Sequence, residues 1–135
     1  MVFISYANRD SLMAQQVEQV LSTIGINIWR DKTTLRAGEI WPKALGEAIV
    51  QADAFLLLWS KAAAKSEFVE LEWTIALAVK CPIILNMVDN APLPPSLKAV
   101  HGIAKRDAIT IATRVKEAMR SVSARHESKS AASNG

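Results

Sequence analysis

The chain predicts a three-layer α/β sandwich around a mostly parallel, five-stranded sheet, and three observations predict it. Two apolar runs, Ala54–Trp59 (AFLLLW) and Pro82–Val88 (PIILNMV), have the length and branched content of strands buried on both faces. Stretches with helical spacing alternate with such runs from one end of the chain to the other. Strands joined in parallel need crossover connections, and the stretches between the runs are long enough to supply them.

The first strand is Val2–Tyr6 (VFISY). Asn8, Asp10 and Ser11 favour a helix start, and Met13, Val17, Val20, Leu21 and Ile24 then recur at helical spacing. Gly25 ends that helix in the left-handed conformation. Ile26–Trp29 is a brief second strand, and Arg30–Trp41 (RDKTTLRAGEIW) is a polar loop of a length more often functional than idle. Pro42 suits the first turn of a helix that buries Leu45, Ala48, Ile49 and Ala52. The strand Ala54–Trp59 follows, and then one crossover helix with an apolar stripe of Phe68, Leu71, Ile75 and Val79. After Pro82–Val88 comes a proline-rich break, Asp89–Pro95, then a single turn at Ser96–Val100 and a weak edge strand at Gly102–Ala104. Ala108, Ile111, Ala112, Val115, Met119 and Val122 share one face of the last helix. Residues 1–122 thus make one domain, and 123–135 read as a disordered tail or linker.

Composition narrows the function. The 135 residues suffice for one core, half of them are apolar, and the net charge is only +3. No basic run tracks a phosphate backbone, so nucleic acid is not an expected partner. The single cysteine, Cys81, excludes an internal disulfide, and His101 and His126 are too isolated for a metal cluster. The apolar stretches fall short of the roughly 20 residues a bilayer needs, which points to a cytoplasmic chain with no membrane contact.

The candidate chemistry lies in Ser60–Trp73 (SKAAAKSEFVELEW), which leaves the carboxyl end of a central strand, where open α/β sheets bind ligands. Glu67, Glu70 and Glu72 all fall here, and Glu72 lies beside the apolar stripe. The turn after the first strand, Ala7-Asn8-Arg9-Asp10, has no glycine to cradle phosphate, and no Gly-x-Ser-x-Gly elbow occurs. The central strand ends Trp59-Ser60, without the aspartate a phospho-acceptor needs. A carboxylate is what remains. On pattern alone, however, Glu72 reads more simply as a solvated helix residue.

Val2-Phe3-Ile4-Ser5-Tyr6, Trp29-Arg30-Asp31 and Leu35-Arg36-Ala37-Gly38-Glu39-Ile40-Trp41 resemble the first two boxes of Toll/interleukin-receptor (TIR) domains. The resemblance continues in order through Ala52–Ser60, Glu70-Leu71-Glu72-Trp73 and Pro82-Ile83-Ile84-Leu85, covering roughly residues 2–104. Trp41 and the Leu-Glu-Trp of the crossover look most like prokaryotic-type members. Similar domains split NAD at the nicotinamide–ribose bond, releasing nicotinamide and ADP-ribose or a cyclised form, and others are non-enzymatic adaptors.

The resemblance implies that Glu72 is the catalytic residue, and that Glu72→Ala abolishes turnover with little loss of fold. It implies an NAD pocket drawn from Ser5, Tyr6, Arg9, Asp31, Lys32, Leu35, Gly38, Trp41, Ser60 and Phe68, with Asn8, Asp10 and Lys61 beside them. Phe68 stands where the family usually has tryptophan, and Ala7 where many members have a basic residue, whose charge Arg9 or Lys32 would supply. Trp41 either touches NAD or staples the loop to the next helix, and Asp31 either binds or caps its own loop. Trp59 and Trp73 are expected in the core, and Cys81 as a buried small residue.

Leu35, Arg36, Ala37, Gly38, Glu39 and Ile40 correspond to the mobile loop through which TIR domains self-associate. The resemblance implies NAD as substrate without a further cofactor or metal, other TIR domains as partners, and a fused or separate sensor module. The activity would be raised by self-association and would serve immune, defence or cell-death signalling. A non-catalytic scaffold and a non-cleaving receptor for an NAD-like nucleotide are the alternatives.

Overall fold

The computed structural model describes residues 1–29, 41–100, 102–104 and 110–120. Strands β1 (Val2–Ser5), β2 (Ile28–Trp29), β3 (Ala54–Trp59), β4 (Ile83–Met87) and β5 (Gly102–Ala104) form one sheet in the order β2-β1-β3-β4-β5. All four neighbouring pairs are parallel. The helices are α1 (Ser11–Thr23), α2 (Trp41–Gln51), α3 (Lys61–Ala64), α4 (Glu67–Ala78) and α5 (110–120). The expected α/β sandwich is therefore the observed one, with Gly102–Ala104 at an edge as its weak apolar character suggests.

Alternation along the strands divides the core in two. Ala54, Leu56 and Leu58 face Val2, Ile4, Val17, Leu21, Ile111 and Val115, so α1 and α5 cover that side. Phe55, Leu57 and Trp59 face Phe3, Leu45, Ile49, Val69 and Trp73, so α2 and α4 cover the other. Every residue of β3 is buried, which explains why its sequence shows no polar alternation. On the α2 side, Phe3 stacks between Trp29 (4.8 Å between centroids) and Phe55 (5.3 Å). Register puts these rings side by side, because Phe3 pairs with Trp29 on β2 and with Phe55 on β3.

The connection from β3 to β4 differs from the expected single helix. Ser60 and Ser66 each accept a hydrogen bond from the amide three residues on, Ala63 and Val69, and so start two successive helices. The buried face of α4 is also rotated from the expected stripe. Val69, Glu72, Trp73 and Ala76 point inward, while Phe68, Leu71 and Ile75 are half-buried and Val79 is exposed. Apolar residues on both sides of that face hid its centre.

Two helices end in the same way with different residues. After α1, the Gly25 amide bonds to the Ser22 carbonyl and the Ile26 amide to Leu21, with Gly25 at φ +83°. After α4, the Lys80 amide bonds to Leu77 and the Cys81 amide to Ala76, with Lys80 at φ +60°. Lys80 thus occupies a left-handed position where its Cβ is a liability. Beyond β4, Asp89 accepts from the amides of Lys61 and Ala91, at 2.9 and 2.8 Å. The Lys61 amide is the main reason its carboxyl titrates below the usual range.

Three outcomes are expected in equilibrium unfolding. Phe3→Ala, which empties the centre of the ring stack, should lower stability by about 3–5 kcal/mol in urea melts. Lys80→Gly should raise it by about 0.5–1 kcal/mol by relieving the left-handed residue. Asp89 contributes above its unfolded pKa and loses that contribution as pH falls through its depressed folded value. Asp89→Asn should therefore make thermal stability less sensitive to acidification in that window and leave its pH dependence near neutrality unchanged.

Candidate functional site: a cleft at the switch point of the sheet

The strand order changes direction between β1 and β3, since the chain proceeds outward to β2 on one side and to β4 and β5 on the other. Loops leaving the carboxyl ends of two such strands diverge and leave a crevice between them. Here those loops are the segment Tyr6–Asp10 and the segment from Ser60 to Ser66. They enclose a cleft of about 520 Å³ lined by Tyr6, Ala7, Asn8, Arg9, Ala62, Ser66 and Phe68. Arg9 is exposed at its edge and Phe68 is half-buried in its wall, so an aromatic surface and a cation share one opening.

Behind this wall lies the carboxyl group singled out by the sequence. Glu72 is 0 % exposed, as is Ser5, and the Ser5 hydroxyl donates to Glu72 Oε1 at 2.7 Å. Glu72 is therefore not a solvated helix residue. Its immediate surroundings are set by the fold: Ser5 is the last residue of β1, and Glu72 lies one helical turn beyond Phe68 on the inward face of α4. Neither Ser5 nor Glu72 lines the cleft, whereas Tyr6 and Phe68 do. The expectation that Glu72 can be truncated with little loss of fold needs correction. Removing a fully enclosed side chain leaves a cavity and strands the Ser5 hydroxyl, so the size-matched Glu72→Gln is the cleaner substitution.

The remaining residues tie the loops together. The Ser60 hydroxyl donates to Asp10 Oδ2 at 2.6 Å while accepting from the Ala63 amide, and Ser60 is almost fully buried. This bond joins the turn after β1 to the end of β3. Lys61 is exposed, and its amide is bound to Asp89. Trp59 and Trp73 are buried, as expected of core residues, and the Trp59 indole donates to the Pro92 carbonyl at 3.2 Å. Both also border a smaller cleft of about 330 Å³ against Pro92, Leu93 and Pro94. Cys81 is half-buried, and burial, with the Asp53 charge second, pushes its thiol up to about 11, which keeps it protonated and unreactive near neutrality.

Asp31, Lys32, Leu35, Arg36, Ala37, Gly38, Glu39 and Ile40 lie outside the described residues, as do the Trp41 side chain, His101 and His126. Of the remaining sequence candidates, Tyr6, Arg9 and Phe68 meet at the cleft, with Asn8, and Ser5 and Glu72 meet behind it. Ala62 and Ser66 also line the cleft; both fall inside the candidate stretch that begins at Ser60, though neither was named individually. A serine directly before Glu67 is the usual mark of a helix start, and that signal was available.

A family model for the TIR domain matches residues 2–123. No curated protein matches the chain in sequence. Among solved structures, the TIR domain of the Toll-related receptor TRR-2 from Hydra magnipapillata superposes with a TM-score of 0.71 at 17% identity, covering 90% of this chain and 96% of that one. A metazoan TIR-STING receptor from C. gigas, in complex with 2',3'-cGAMP, gives 0.71 at 20% identity, covering 87% of this chain but only 38% of the receptor. A chain of the RPS4 and RRS1 TIR domain heterodimer gives 0.64 at 14% identity, covering 88% of this chain and 97% of that one. At these identities the structures speak for the fold alone, and the family model carries the assignment: over 2–123 the chain belongs to the TIR domain family.

Proposed function

We propose that this TIR domain is an NAD glycohydrolase with Glu72 as its catalytic residue. The observation that carries the reading is a carboxyl group held out of water directly behind an aromatic, cation-edged cleft at the switch point of the sheet. Breaking the nicotinamide–ribose bond sends its electron pair to the pyridine nitrogen, so nicotinamide leaves neutral and needs no acid. The ribose carbon is left with oxocarbenium character, which a nearby carboxylate stabilises far better in a dry site than in water. Water, or a nucleophile within the ADP-ribose, then adds to that carbon and gives up a proton. Tyr6 and Phe68 offer ring surfaces for flat heterocycles, and Arg9 offers a charge for the diphosphate. Packing of neighbouring copies, with the 35–40 segment in the contact, is the proposed trigger, and immune or cell-death signalling inside the cell the proposed setting.

A second reading is a scaffold acting only through TIR–TIR contacts. It is favoured by one observation, that Glu72 does not line the cleft. One measurement separates the two. Wild-type protein incubated with NAD, dilute and under crowding that promotes assembly, should release nicotinamide by chromatography. Glu72→Gln should release it at least about 100-fold more slowly at similar thermal stability. Equal rates for the two proteins, or no nicotinamide from wild type in either condition, would rule out the enzymatic reading and leave the scaffold.

A further inference from the structure

Two residues expected in or beside the pocket, Ser60 and Asp10, do not line the cleft, yet each adjoins one of its walls in sequence. Arg9, at the end of the Tyr6–Arg9 wall, directly precedes Asp10, and Ala62 on the other wall follows soon after Ser60. The Ser60 hydroxyl donates to Asp10 Oδ2 at 2.6 Å, across 50 positions of sequence, and accepts from the Ala63 amide at 3.0 Å. One hydroxyl thus links the start of α3 to the turn after β1. An aspartate at a helix start normally accepts from an amide of that helix, but Asp10 stands at the start of α1 with no such bond. Its carboxylate forgoes the local partner and takes the hydroxyl of a nearly buried serine at the end of β3. A charge-assisted bond of this length, partly shielded from water, is among the stronger ties a loop can have.

We infer that Asp10 is a positioning residue for the nucleotide: bound to Ser60, it sets the spacing of the Tyr6–Arg9 wall, and of the Arg9 charge, against Ala62 and Ser66. That role rests on the glycohydrolase reading, which names the ligand, and adds to it the device that sets affinity. The tie is not the sole restraint, since both walls grow from neighbouring strands and α3 also packs on the turn after β1. Its loss should therefore loosen the walls without unfolding them, so that only a fraction of molecules holds the spacing that grips the ligand. Apparent affinity falls by that fraction, whereas the ligand, once bound, restores the spacing and the chemical step proceeds unchanged. The sign separates this from plain electrostatics. Removing a carboxylate beside a site for a diphosphate would by itself tighten binding, so a weaker grip after loss of Asp10 has to come from geometry.

The test compares the full chain as wild type, Asp10→Ala, Asp10→Asn, Ser60→Ala and Asp10→Ala/Ser60→Ala. NAD is the substrate, and ADP-ribose, which is not turned over, is the binding probe in calorimetry. Asp10→Ala should raise KM for NAD about tenfold with kcat within about twofold, and the ADP-ribose dissociation constant should rise with KM. Asp10→Asn keeps an oxygen that can accept from Ser60, and should hold KM within about twofold of wild type or below it. Ser60→Ala should raise KM at least as much as Asp10→Ala, and the double variant no further than Ser60→Ala, because both remove one bond. Ser60→Ala also loses the cap of α3, so if it does not fold the two Asp10 variants decide. A purely structural tie would lower the melting temperature of Asp10→Ala and leave KM where it was, and that result overturns the inference. So does a KM as high in Asp10→Asn as in Asp10→Ala. If ADP-ribose binds but no protein releases nicotinamide, the glycohydrolase reading fails by itself and the dissociation constants decide the same comparisons. If ADP-ribose does not bind and NAD is not cleaved, both fall.

Discussion

Burial of β3 on both faces is the constraint from which the rest of the arrangement follows. A strand reading AFLLLW has no side to show to water, so helices must cover it front and back. Parallel pairing with β1 and β4 then forces the chain to cross over the sheet between strands, and the crossover from β3 to β4 must lie against the Phe55–Leu57–Trp59 face. That crossover holds α4. Its inward residues are fixed by the need to cover this face, and one of them, one turn beyond the cleft residue Phe68, is a glutamate. The position of the candidate chemistry is thus a by-product of closing the core.

An acid in that place is expensive for the fold. An alanine or leucine at 72 would satisfy the core with no polar group to compensate, and Ser5 would have no carboxyl to bind. Lys80 is a milder case of the same kind, a side chain in a backbone position that suits glycine, but it lies at the far end of α4 from the cleft.

Most of the architecture was legible in the chain. The two apolar runs, Gly25 as a helix stop and the inward faces of α2 and α5 follow from spacing and from backbone chemistry that any residue obeys locally. The interior phase of α4 was not. Phe68, Leu71, Ile75 and Val79 form as good a stripe by periodicity as Val69, Trp73 and Ala76, and only the position of the sheet and of α2 decides between them. The same gap hid the partnership of Ser5 and Glu72. Each residue was singled out, but a contact across 67 positions depends on which strand lies under which helix, and no local pattern reports that. The second helix start at Ser66 was visible in principle and was outweighed by the longer apolar pattern around it.

The bond between Asp10 and Ser60 bears on how ligands could act on this domain. It fastens the turn after β1 to the end of β3, so the two loops that border the cleft are tied to each other as well as to the sheet. A ligand that parts the two loops must replace that bond, whereas one that fits the existing gap leaves it intact.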